Sequence, residues 1–162
     1  VPGPLEAALI ALSRRAMTAA AVAGYLRKKG YAATQIDAAL KRLADMGYVD
    51  DAAYASAFIS TKAAAKSLGP RRVRGELARR GVARAVIDAE MAKAAEGGEA
   101  SFEDATKALE KIVRSKGIPG DRAGRDRIRA ALARRGFGGA AIARAMTDLR
   151  RRLAEREEEG GG

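Results

Sequence analysis

Two kinds of side chain in this 162-residue chain could do chemistry, and they are unequal in weight. The heavier is a set of cations at Lys28 and Lys29, at Arg71, Arg72, Arg74, Arg79 and Arg80, and at Arg125, Arg127, Arg129, Arg134 and Arg135. Guanidinium and ammonium groups hold anions, and the planar fork of arginine fits phosphate and carboxylate equally well. Residue type therefore names an anionic partner without saying whether it is a nucleic acid or an acidic protein surface. The lighter kind is catalytic. There is no Cys and no His, which removes the usual acid/base, the common zinc ligands and the thiolate nucleophile. Ser13, Ser56, Ser60, Ser67, Ser101 and Ser115 sit in neither a Gly-x-Ser-x-Gly nor a Ser-x-x-Lys setting. Asp50 and Asp51 could share a cation, but with no third carboxylate at ligand spacing they read as a helix N-cap. No catalytic residue, metal or cofactor is expected.

The elements that carry the cations recur. Leu26-Arg27-Lys28-Lys29-Gly30-Tyr31, Leu77-Ala78-Arg79-Arg80-Gly81-Val82 and Leu132-Ala133-Arg134-Arg135-Gly136-Phe137 repeat one phrase, followed at a fixed distance by Ile36, Ile87 and Ile142. A helix ending in basic residues and a glycine, with an apolar residue next, is the pattern of a left-handed C-cap before another helix. The glycines stand 51 and 55 positions apart, room for three helices per repeat. Between the second and third repeats the match extends at a constant offset of 55, from Gly69, Arg72, Val73 and Arg74 to Gly124, Arg127, Ile128 and Arg129. In the first repeat Ala21 and Ala23 replace Arg72 and Arg74, so its middle helix keeps only the Arg27-Lys28-Lys29 cluster.

Helical spacing then predicts three modules, 1–47, 48–98 and 99–162, in an all-α chain. Leu5–Ser13 reads as a first helix, Thr18 as the N-cap of a second and Thr34 as the start of a third. Ala52–Ser67 forms the next, with Tyr54, Ala55, Phe58 and Ile59 on one face. Tyr48, Tyr54 and Phe58 could stack nucleobases, but their spacing assigns them to the core. Gly69-Pro70 ends that helix and opens the next, Arg71–Arg80, since glycine accepts a left-handed cap and proline suits the first helical position. Val73 and Leu77 share that helix's buried face, with Arg71, Arg72, Arg74 and Arg79 spread over the opposite half. Joined with Arg125, Arg127, Arg129 and Arg134 they would make one basic surface. Glu96-Gly97-Gly98-Glu99 reads as a flexible joint before a helix from Ser101 to Lys116. The last helix is expected from Ala140 to about Arg156, its basic end at Arg150-Arg151-Arg152 favourable to the helix dipole, with a frayed tail from Glu157 to Gly162.

Composition agrees. Aromatic residues make up 4%, and abundant Ala, Leu and Arg favour helices over sheets. The net charge of +11 divides as +3, +4 and +4 among residues 1–50, 51–98 and 99–162, so it is distributed along the chain and points to a polyanionic partner. No apolar run reaches the length needed to cross a bilayer, and the start, a Val in place of Met, does not resemble a signal peptide. The chain reads as a cytoplasmic monomer, with a trimmed N-terminus.

The phrase Gly47-Tyr48-Val49-Asp50-Asp51-x-x-Tyr54-Ala55, followed by Gly69-x-x-Arg72-Val73-Arg74-x-Glu76-Leu77-x-x-Arg80-Gly81 and a third repeat ending Arg134-Arg135-Gly136-Phe137, resembles the RecX family of bacterial regulatory proteins. Ala21 departs from the acidic residue usual there. What the resemblance implies is a non-enzymatic modulator of the RecA recombinase, built of three tandem three-helix modules in an elongated, curved array. Such proteins lie in the groove of the RecA filament on single-stranded DNA, limit its growth and suppress its ATPase and strand exchange. Regulation of recombination, DNA repair and the SOS response, with weaker, salt-sensitive binding to single- and double-stranded DNA, belongs to the same implication. A helix-turn-helix array that binds nucleic acid on its own is the alternative, although its middle helices lack the Asn, Gln and Ser that read base edges.

Overall fold

In the computed structural model, residues 1–96 and 105–161 are described. The joint at 97–99 and the helix start at Ser101 lie outside them. Every regular element among the described residues is helical: α1 (Pro4–Arg14), α2 (Ala19–Lys28), α3 (Ala33–Asp45), α4 (Asp51–Phe58), a π-helical stretch Ile59–Ala63 running into α5 (Ala64–Lys66), α6 (Pro70–Arg79), α7 (Arg84–Glu96), α8 (Thr106–Lys116), α9 (Arg122–Arg134) and α10 (Gly139–Gly160). The chain forms two compact units, one of residues 1–59 and 75–92, the other of 60–74 and 93–162. The unit boundaries fall inside the π-helical stretch, α6 and α7, so the second repeat contributes to both units. Among the described residues no helix is long and apolar enough to cross a membrane.

Local sequence explains most of the boundaries. Thr18 caps α2, its Oγ1 accepting the Ala21 N–H at 3.2 Å, and Asp50 caps α4 by accepting the Ala53 N–H at 3.0 Å. The neighbouring Asp51 does something else: its Oδ1 accepts the Ala19 N–H at 2.9 Å, so the two carboxylates serve two different helix starts. Among the described residues no three acidic, His or Cys side chains are grouped to hold a metal. The third helix begins at Ala33, one residue before the expected Thr34, because Gln35 Oε1 accepts the Ala32 N–H at 2.9 Å and closes the first turn from within. Gly30, Gly81 and Gly136 take φ of +92°, +82° and +94°, the left-handed C-caps that their setting predicts.

Four expectations are corrected. The left-handed residue after α5 is Ser67, at φ +49°, and not Gly69, which does not take a positive φ. Tyr48 is 58% exposed and outside the core, because the left-handed turn at Gly47 sends Val49 inward in its place. Tyr54 is half-buried and Phe58 buried, as expected of a core face. The last helix runs four residues beyond Arg156, through Glu157–Gly160, since three consecutive glutamates are helix formers and leave no reason to fray before the glycines. In consequence Arg150-Arg151-Arg152 lies mid-helix and answers no helix dipole. Two of the three form ion pairs instead, Arg151 and Arg152 with Asp148 at 2.7 and 3.0 Å, and Arg152 also with Glu110 of α8 at 3.4 Å.

The first unit has a core of small and aliphatic residues in which α1, α2 and α3 pack around Ala8, Val22, Leu26 and Leu43. The second is built by α8, α9 and α10 around Leu109, Ile128, Leu132, Met146 and Leu149. Such Ala-rich cores bring backbones close, and glycine is used where they meet. In the first unit the start of α2 abuts the end of α6. Thr18 Oγ1 donates to the Arg80 carbonyl at 2.6 Å, and a Cβ on Gly81 would overlap that of Ala20. In the second unit the start of α6 abuts the end of α9. Gly69 N–H donates to the Arg135 carbonyl at 2.6 Å and Arg71 N–H to the Gly136 carbonyl at 3.2 Å, while a Cβ on Gly136 would strike the Arg72 backbone. Thr18 and Gly69 are 51 positions apart, and Gly81 and Gly136 are 55 apart, so these are repeat-equivalent contacts. Gly30 is the exception, with nothing near its missing side chain.

These three glycines therefore differ in what they hold. Gly30→Ala should cost about 1 kcal/mol, the strain of a left-handed Ala alone. Gly136→Ala adds a clash with fixed backbone and should cost roughly 1–3 kcal/mol more. Urea midpoints of the two variants check this, and equal losses would contradict the contact.

Candidate functional site

The cations of α9 divide into two stripes. At 100° per residue Arg127 and Arg134 fall within about 20° of one another, while Arg125 and Arg129 fall within about 40° on the other side of buried Ile128 and Leu132. The single surface expected for these four is thus two. Arg127 and Arg134 are exposed and border a cleft of about 270 Å³ with Lys116, Ile112 and Pro119. Arg125 and Arg129 line a second opening of about 360 Å³ together with Arg122 and Arg150. Neither of those last two arginines is among the twelve candidate cations of the sequence, although Arg122, Arg125 and Arg129 have the i, i+3, i+7 spacing of one helix face. Arg150 could be assigned only once α10 was known to pack on α9.

The two stripes are electrostatically unlike. In the second, Asp126 lies between the arginines, 3.1 Å from Arg129 and 3.9 Å from Arg122, and Arg125 donates to the Gly120 carbonyl at 3.0 Å. Part of its charge is thereby answered within the helix. Neither Arg127 nor Arg134 has an ion pair among the described residues, and the first stripe is the more available to an outside anion. It also has the repeat's regularity: Arg72 and Arg79 on α6 are its equivalents, and Ala21 and Lys28 those on α2. Within the second unit Arg72 Nη1 donates to the Arg134 carbonyl at 3.3 Å, which brings Arg72 to the end of α9. Arg71 and Arg74 are exposed on α6, Arg79 is exposed and pairs with Glu76 at 2.8 Å, and Lys28 is exposed at the end of α2.

The residues next to the glycines behave differently from their neighbours. Arg80 is half-buried, its guanidinium 4.8 Å from the centre of the Phe58 ring and 2.7 Å from Glu76. The hydrogen bond that Arg80 donates to the Glu76 carboxylate outweighs burial and raises the Arg80 pKa above its ordinary value, so the side chain stays charged. Arg135 is likewise half-buried, and its Nη1 is enclosed without a hydrogen-bond partner. Lys29, at the equivalent place in the first repeat, is exposed and stands 5.6 Å over the Tyr25 ring. Of the twelve cations singled out in the sequence, Arg80 is held inside its own unit and Arg135 is partly enclosed.

Comparison with known proteins assigns this arrangement to a lineage. Residues 5–43 match the family described as RecX, first three-helix domain, and residues 50–91 match RecX, second three-helix domain. The chain is 33% identical over 154 residues to the regulatory protein RecX of Geobacillus kaustophilus and 31% identical over 158 residues to that of Geobacillus thermodenitrificans. Each alignment covers 95% of this chain and 56% of the relative, so the chain spans little more than half the length of these relatives. Its fold is that of the crystal structure of RecX from Lactobacillus salivarius, with a TM-score of 0.75 at 20% identity over 90% of this chain and 94% of the other.

Available and committed arginines should separate in a stability measurement. Arg80→Ala removes a cation–π contact and a shared, partly solvated ion pair and should cost about 1 kcal/mol. Arg127→Ala should stay within about 0.5 kcal/mol of the parent. Chemical denaturation of both variants provides the check, and a reversed order would contradict the assignment of Arg80 to the fold.

Proposed function

Because the chain belongs to the RecX family of regulatory proteins, we propose that it is a non-enzymatic negative modulator of the RecA recombinase. In this reading it acts in the cytoplasm as a monomer, engages the groove of the RecA filament on single-stranded DNA, and limits filament growth, ATPase and strand exchange. The observation that supports the reading is a pair of exposed arginines seven residues apart that recurs at a constant offset, Arg72 and Arg79 on α6 and Arg127 and Arg134 on α9. A filament presents the same chemical surface at regular intervals, and a recurring cationic stripe suits such a partner better than a single compact ligand. The charge-poor first repeat, with Ala21 and Ala23, then contributes least. Naked single- and double-stranded DNA bind through the same cations, more weakly and with strong salt dependence.

Arg127→Ala with Arg134→Ala tests this, since neither side chain is engaged in holding the fold. The pair should abolish inhibition of the RecA ATPase at parental concentrations. On naked single-stranded DNA each lost phosphate contact flattens the logarithmic salt slope by about 0.7, so the pair changes it by at most about 1.4. Inhibition that survives in the folded double variant removes the stripe from the mechanism. Equal losses on naked DNA and on the filament would favour a stand-alone nucleic-acid-binding array.

A further inference from the structure

Arg80 and Arg135 are repeat-equivalent, 55 positions apart, and their surroundings differ in kind. Arg80 has three partners within the first unit: the Phe58 ring at 4.8 Å, the Glu76 carboxylate at 2.7 Å and a hydrogen bond with Tyr54. At the same offset those three positions are Val113, Ala131 and Leu109, so an aliphatic side chain stands in place of each partner. The Arg135 guanidinium accordingly has no carboxylate among the described residues, and its Nη1 is enclosed without a hydrogen-bond partner. A guanidinium cannot shed its charge, and enclosing it unpaired is costly.

The place of the missing carboxylate stands open. Ala131 borders the cleft of about 270 Å³ in the second unit, where a side chain of the length of Glu76 would project. Arg135 continues the helical backbone of α9, and at 100° per residue it falls between Ala131 and Ile128, both of which line that cleft. Helical side chains lean toward the N-terminus of their helix, the direction from Arg135 to Ala131, and Arg80 meets Glu76 in that same direction. Lys116, Arg127 and Arg134 line the cleft and no carboxylate does, while Ile112, Pro119 and Ile128 give it apolar walls.

We propose that this cleft binds an acidic segment of a partner protein, a Glu side chain entering beside Ala131 to pair with Arg135 as Glu76 pairs with Arg80. An apolar residue next to that Glu then lies on Ile112 and Pro119. The second repeat supplies the precedent, since the same guanidinium position there holds a carboxylate. Apolar walls suit an amino-acid neighbour better than a sugar–phosphate backbone, and the cations at Lys116, Arg127 and Arg134 favour further negative charge in the segment. The proposal rests on the function proposed above, whose Arg127 and Arg134 border the cleft, and it assigns their partner to acidic protein in preference to DNA.

Ala131→Glu supplies the carboxylate from within the chain and leaves Arg127 and Arg134 in place. Its urea midpoint should exceed that of Ala131→Gln, which has the same length without the charge. In the ¹⁵N-labelled parent, the peptide acetyl-Ala-Glu-Leu-Ala-amide should shift the Arg135 Nε–H and the Ala131 amide. The peptide with Gln in place of Glu should bind at least about tenfold more weakly. Ala131→Glu should lose those shifts, and Arg135→Gln should bind the two peptides alike. None of these readings uses RecA, so ATPase inhibition that survives in the Arg127 and Arg134 variant would overturn the proposed function and leave the carboxylate site standing. Three results would overturn the site itself: an Ala131→Glu midpoint at or below that of Ala131→Gln, undiminished peptide shifts in Ala131→Glu, or a thymidine octanucleotide that shifts the Arg135 Nε–H more strongly than the acidic peptide, which would assign the cleft to phosphate.

Discussion

A helix start seated on the glycine corner of another helix is the contact on which the rest of this structure depends. It is made twice, Thr18 on the Arg80 carbonyl with Ala20 against Gly81, and Gly69 and Arg71 on the Arg135 and Gly136 carbonyls with Arg72 against Gly136. Helix ends leave carbonyls and N–H groups without intrahelical partners, and burying them unpaired is costly. At Gly136 the backbone N–H groups of one helix start meet the orphan carbonyls of another helix, and at Gly81 the capping hydroxyl of Thr18 meets the orphan Arg80 carbonyl. In both places the carbonyl deficit is removed, and only glycine permits the helices to come that close.

That contact also governs where charge can go. Next to each occupied corner the second arginine of the Arg-Arg-Gly phrase turns back on its own unit, Arg80 onto Phe58 and Glu76, Arg135 into partial enclosure. The first arginine of the phrase, Arg79 or Arg134, stays outside, one helical face away. The recurring pair of cations thus divides into one turned toward its own unit and one that faces solvent. Seven residues earlier, Arg72 and Arg127 fall on the outer face again, and this spacing turns a folding motif into a cationic stripe.

Much of this was legible in the sequence, for a physical reason. Left-handed glycines, Thr and Asp caps and the spacing of Val73, Leu77, Ile128 and Leu132 are local signals, and each appears where its neighbours demand it. What was not legible depends on long-range packing. Gly69 reads as a C-cap because it precedes proline, yet its lack of a side chain serves the approach to Gly136, 67 positions away. Tyr48 has core spacing but follows the turn that throws it outward. The arginines of α9 look like one surface when counted along the chain and become two on the helix, with Asp126 answering one of them. The RecX resemblance found in the repeated phrases agrees with the family matches over residues 5–43 and 50–91.

Electron cryomicroscopy of RecA filaments on single-stranded DNA with this chain bound tests the central claim most directly. The account predicts repeating density in the filament groove, with the Arg127 and Arg134 face of α9 turned toward the filament. Density confined to filament ends or to bare DNA, or a bound chain with that face turned to solvent, would contradict it.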